Sequence, residues 1–308
     1  MIAGLLRQDA GQVDFGQRRF RLRSGPARHA LESAARAFLA GLNASFEVRT
    51  VADLAPRLHA VEPGHRGFAC EGAGMGCAML DLLTLARGRR VAELLSGPAR
   101  AHPHLVHVGI GWAYARLRLR PRGGSPAADP LLRWLAWDGF GFHQGFFHAD
   151  RTIGRQRVET GLPPGVSAVR DQGLGRALWF HECADPEGIA LRIAGFHPNR
   201  HADLWSGVGL AATYAGGADA DELARLAELA GRHRPWLAQG CAFACKARLT
   251  GAAVPAHTDD AAQVLAGVDV AEAAGWTDRA LAVLGPSPET LAQYQRWRAE
   301  TVRGVGGE

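Results

Sequence analysis

A glycine pair, Gly-x-Gly, recurs along this chain at nearly even spacing, and no other feature limits the fold as strongly. It stands at Gly72/Gly74, Gly109/Gly111, Gly139/Gly141, Gly173/Gly175 and Gly207/Gly209, and Gly240/Ala242 is a sixth, weaker copy. The first glycines lie 37, 30, 34, 34 and 33 residues apart. With 39 glycines a chance dipeptide would be common, but not at this regularity. Self-similarity at such a period is the mark of a repeat architecture. After each pair come large apolar and small residues on a 3.6-residue period, best matched in GWAYARL (111–117) and FACKARL (243–249). That period predicts helices. Lacking a Cβ, glycine lets one helix approach another closely.

The expected fold is therefore mainly α, with tandem helix pairs resembling a helical repeat. It forms one domain over residues 1–308, with pseudo-repeats over about 66–250. ADADELARLAELAGRHR supplies a companion helix, with Asp219 or Asp221 as cap and Gly231 near its end. In ALWFHECADPEGIALRIAGF two short apolar runs flank Asp-Pro-Glu-Gly, a turn signal. A small central β element is expected there. Further helices are expected near Asp259–Ala274 and after SPET, with Ser287 as cap.

Charge does not point to nucleic acid. The chain carries 35 basic and 30 acidic residues spread along its length, and Lys246 is the only lysine. Such arginine-rich, alanine-rich and glycine-rich usage reads as coding bias. Five cysteines with no CxxC pair argue against a disulfide framework or structural zinc. Cys241 and Cys245 read as small hydrophobes on one helix face. No run of eighteen apolar residues exists, and the N-terminus has no secretory pattern, so a soluble cytoplasmic protein is expected. HExxH, P-loop, GxSxG and EF-hand motifs are absent. Gly207–Ala212 fits GxGxxA, but the preceding NRHADLW is a poor strand, so a nucleotide site is not expected.

The candidate chemistry rests on polar residues in apolar surroundings. Glu71, in RGFACEGAGMG, is a candidate acid or base, because burial raises a carboxyl pKa. His143, His181 and Glu182 are the other catalytic candidates. A metal held by His143, His181 and His197 with Glu182 is chemically admissible, although no spacing demands it. Arg176 and Arg200 are anion anchors that Asp203 could pair. Aromatics beside the glycines suit a flat or elongated apolar ligand. Trp112, Phe140, Phe142, Gln144, Phe146, Arg176, Trp179 and Trp205 are the expected binding residues. The stretch WDGFGFHQGFFHAD (137–150) concentrates them, and His143-Gln144 sets its copy apart from the others.

The successive blocks RGFACEGAGMGCAMLDLL, HVGIGWAYARL, DGFGFHQGFF, DQGLGRALWF, RHADLWSGVGLAATYAGG and LAQGCAFACKARL resemble the family catalogued as domain of unknown function 1702. The resemblance implies an accessory role in enediyne or polyene-type natural-product biosynthesis, acting on a long conjugated intermediate. It implies partners from the same biosynthetic cassette, among them a membrane flavoprotein-like protein. It brings no catalytic residues and no named cofactor. Two functions follow as expectations. One is an enzyme that takes part in the oxidative modification of such an intermediate. The other is a non-catalytic scaffold or carrier that binds partner proteins or shields the intermediate.

Overall fold

The structure, a computed structural model, describes residues 6–121 and 128–305. Seven helices form its frame: α1 (Pro26–Glu47), α2 (Pro63–Leu83), α3 (Pro103–Arg116), α4 (Leu135–Phe147), α5 (Pro164–His181), α6 (His201–Ala215) and α7 (Arg234–Thr250). Two more, α8 (Val270–Ala282) and α9 (Leu291–Val305), pack on the last of them. Proline opens the first turn of α1, α2, α3, α5 and α7. There its missing N–H costs nothing and its fixed φ suits the helix.

Each glycine pair sits in the middle of one helix and holds both neighbours. The first glycine meets the preceding helix and the second the following one. A Cβ on Gly173 would lie 1.8 Å from the carbonyl oxygen of Asp138 on α4, and one on Gly175 2.1 Å from that of Leu204 on α6. No side chain fits at such distances, so only glycine permits this backbone approach. The contacts are reciprocal (Gly141 of α4 faces Arg170 of α5), so the helices run antiparallel, from α1 through to α7. In the weak sixth copy Gly240 still faces Ser206 of α6. Ala242 replaces the second glycine where α8 follows.

The row bends until its ends meet. Arg248 of α7 donates to the carbonyl of Gly64 on α2 at 2.7 Å and to that of Tyr214 on α6. The Tyr214 ring stands edge-on to Phe68 of α2, with centroids 5.1 Å apart. The helices α2 to α7 follow one another in the row, and α1, packed on α2, lines the interior, where the ring centroid of its Phe38 lies 4.6 Å from that of Trp112 of α3. Short helices Arg89–Ser96, Pro186–Gly195 and Ala220–Ala230 stand outside some steps of the row, so the pairing with a companion helix is partial. Asp219 caps the last of these in a capping box with Glu222.

The expected central β element is not there; the described residues contain no strand. Its two apolar runs are the end of α5 and the helix Pro186–Gly195. Asp-Pro-Glu-Gly starts that helix: the Asp185 side chain accepts from the Gly188 N–H, and Pro186 takes the first helical position. The reversal itself uses Cys183 and Ala184, both at positive φ. Ser287 is likewise not the cap of α9; the Thr290 hydroxyl accepts from Gln293 N–H. Among the described residues no helix is long and apolar enough to cross a membrane.

Candidate functional site

The repeat places chemistry at two positions. The residue before each first glycine is Glu71, Val108, Asp138, Gln172, Ser206 and Gln239 in turn. Its carbonyl presses on the next helix's glycine, as Glu71 does on Gly109 and Asp138 on Gly173. These residues therefore lie at the tightest crossings and are buried. Their polar members form a buried train. Gln172 donates to Asp138 at 2.9 Å, and the Ser206 hydroxyl donates to Gln239 at 2.5 Å and lies 3.3 Å from Gln172 Oε1.

The residue after each second glycine is Met75, Trp112, Phe142, Arg176, Leu210 and Phe243. The first three wall one cavity and the last three wall another. Between the cavities stands an ionic cluster. Arg176 donates to Asp138 Oδ1 at 2.6 Å and lies 3.7 Å from Glu71 Oε1. The guanidinium also stacks on Phe142, 4.5 Å from its centroid. Trp112 Nε1 donates to Glu71 at 3.0 Å.

One guanidinium thus faces two buried carboxylates. Burial opposes the charge on Arg176, but Asp138 and Glu71 outweigh it and raise its pKa. Glu71 is pushed up to about 7, first by burial and then by Asp138, against the pull of Arg176 and Trp112. A carboxyl titrating near neutrality can give or take a proton under working conditions.

The first cavity is an aromatic slot of about 620 Å³ between atoms, mouth included, walled by Phe38, Trp112, Phe142, Phe146 and Phe180 with Glu71 among them. Only about 40 Å³ admits the centre of a water molecule, room for a few waters, so the slot is narrow. The N-terminal segment lies over it: Gln8, Gln12 and Val13 line the slot. Gln8 is fixed by reciprocal bonds with Asn43, 2.9 Å each, and by Arg116 at 3.3 Å.

The expected site residues divide. Glu71, Trp112, Phe142 and Phe146 line the slot, and Arg176 completes the cluster beside it. The others stand elsewhere. His143 is buried against Trp112 and Phe147, both ring nitrogens lack a partner among the described residues, and burial lowers it to about 3, so it stays neutral at pH 7. His181 packs on Phe20 and bonds Glu182 at 2.9 Å. Arg21 and Arg192 flank Glu182, and burial, which alone would raise it, yields to His181 and Arg192, leaving it at about 2. His197 bonds Asn199 at the surface. The three histidines do not converge, and among the described residues no group of three or more His, Cys, Asp or Glu could hold a metal. Gln144 bridges Glu159 and Arg170, Trp179 donates to the Gly216 carbonyl, Phe140 packs on Trp137, and Trp205 is buried. Asp203 pairs with neither proposed arginine. It binds Arg298 at 2.8 Å, while Arg200 binds Asp171 and Arg176 binds Asp138.

Asp138, Phe38 and Met75 escaped the reading of the sequence. Superposing the glycine pairs finds Asp138 and Met75, since each occupies the same repeat position as Glu71 or Trp112. Phe38 lies on α1, outside the pairs, and no pattern points to it.

A family model described as "Protein of unknown function (DUF1702)" matches residues 3–304. No curated protein and no solved structure matches the chain.

Proposed function

Taking as premise that the chain belongs to the family of proteins of unknown function DUF1702, we propose that it holds a slender, extended, conjugated intermediate of enediyne or polyene-type biosynthesis in the aromatic slot. There it takes part in the intermediate's oxidative modification, with Glu71 as the proton-transfer group. The observation that carries this reading is Glu71 itself, a carboxyl 1% exposed, in the wall of an apolar slot, titrating near 7. The narrow slot favours a thin chain over a bulky ring system, and aromatic faces suit a conjugated one. The oxidation needs a two-electron acceptor, and we assign that part to the flavoprotein-like partner the family resemblance implies, with Glu71 taking the proton released. A non-catalytic scaffold is the second reading. It draws on Leu83 and Leu85, 47% and 84% exposed beside Arg87, Arg89 and Arg90, as a surface for a partner.

A fluorescent linear tetraene tests the slot. It should bind the full chain and quench Trp112, and Ala35→Trp, which fills the slot, should abolish binding. Unaltered binding in that variant would sink the assignment. Glu71→Gln separates the two readings: tetraene binding should persist while pathway output is lost, whereas a scaffold would keep its output.

A further inference from the structure

We propose that the second cavity, behind the Glu71–Arg176–Asp138 cluster, is a separate ligand site for a small or slender apolar molecule bearing one neutral, hydrogen-bond-accepting oxygen. The cavity lies between α3, α4, α5, α6, α7 and α9, and its walls are mostly apolar, with Val108, Leu135, Leu210, Phe243 and Trp297 among them. Polar or charged side chains break that surface: His104, Asp138, Arg176, Tyr214, Lys246 and Tyr294. Three of them keep a buried atom without a hydrogen-bond partner among the described residues: the wholly buried Tyr294 hydroxyl, Nε of Arg176, whose terminal nitrogens are engaged, and Nδ1 of His104. Buried polar groups are rarely left so, because each forfeits its bonds to water without replacement. Burial raises the Tyr294 pKa and the negative charge of Asp138 raises it further, so the hydroxyl keeps its proton and can donate. An oxygen bound beside the Tyr294 hydroxyl would answer that donor, and the ligand's apolar body would meet the walls.

The charge balance selects a neutral oxygen. Arg176 already faces Asp138, and Glu71 when ionised, so a carboxylate ligand would add a third anion to one cation. Lys246, also in the lining, is held by Asp278 at 2.8 Å and is not free to recruit one. About 50 Å³ admits the centre of a water molecule, which limits the ligand to a short chain, a small ring or the end of a longer molecule. The ligand is thus an alcohol, aldehyde or ketone of apolar body. This site stands independently of the slot reading.

The experiment is calorimetric titration of the full chain with 1-hexanol, hexanal and hexanoate at pH 8. Hexanol and hexanal should bind, and hexanoate at least about tenfold more weakly. Tyr294→Phe should weaken hexanol about tenfold. Leu210→Trp, which fills the cavity, should abolish hexanol binding. Both variants should keep the parent's far-UV circular dichroism and cooperative thermal melt, which shows that they fold whether or not the slot binds the tetraene. Equal affinity for hexanoate, hexanol binding untouched by either variant, or a crystal structure grown with hexanol whose cavity holds only water would overturn the proposal.

Discussion

Glu71 and Glu182 are both almost fully buried glutamates beside arginine, yet their surroundings drive them in opposite directions. Glu71 shares a single guanidinium with Asp138, deep between two apolar cavities. Glu182, at the end of α5, is paired by Arg21, which also binds Asp185, by Arg192 and by His181, and both arginines remain nearly half exposed. Burial opposes both charges, and more strongly at the deeper Glu71. The second difference is the number of arginines beside each carboxylate. The deep cluster, short of cations, leaves a carboxyl near 7; the edge cluster, rich in them, holds one at about 2. The first is poised for proton transfer, while the second ties the N-terminal segment to α5 and to the outer helix that follows it.

The largest test of this contrast removes the central cation. Arg176→Met leaves two carboxylates buried without a counter-charge and should cost about 3–5 kcal/mol at pH 8 in chemical denaturation. Arg192→Met at the edge should cost less than about 1 kcal/mol, because water screens an exposed partner. Equal losses at the two places would break the comparison.

The pH dependence of Glu71 sharpens it. Its folded pKa lies above the ordinary value, so between about 4.5 and 7 the folded state binds more protons than the unfolded one, and stability falls as pH rises. Glu71→Gln removes that loss. The variant should be more stable than the parent above pH 7, by up to about 3 kcal/mol, with the gain vanishing below about pH 4.5. Thermal melts across pH 4 to 9 give the answer, and a gain independent of pH would contradict the assignment.

The smaller of the two pH effects belongs to Glu182, with the opposite sign. Its folded pKa is depressed, so its stabilisation is full above the ordinary carboxyl range and fades as pH falls through that range toward about 2. Glu182→Gln should cost about 1–2 kcal/mol at pH 7, a figure reduced for solvent around its arginines, and almost nothing near pH 2. The same denaturation series measures it; a cost that grows in acid would reverse the reading.

Much of the frame could be read from the chain. The glycine period gave the helices and their close packing, and the aromatic positions following the pairs gave three walls of the slot. Asp-Pro-Glu-Gly was misread because a turn and a helix start share the same residues; the cap geometry of Asp185 distinguishes them. His143 drew attention because His143-Gln144 sets its copy of the glycine pair apart, but its ring lies against Trp112 and Phe147 and lines neither cavity. Glu71 was singled out correctly as a buried carboxyl, though its partners on α4 and α5, 67 and 105 residues further on, were not visible from its neighbours.

The sequence alone determined that the chain is mainly helical and where the glycine-paired helices would touch. Both are local matters: period sets the buried face, and only glycine admits a backbone at 2 Å from where a Cβ would be. The tertiary structure decided which polar side chains face one another. Bending six antiparallel helices until α7 reaches α2 carries Glu71, Asp138 and Arg176 to one point and opens a cavity on either side. The ionisation of Glu71 follows from that meeting, because charges act through space in a medium of low polarity and not along the chain.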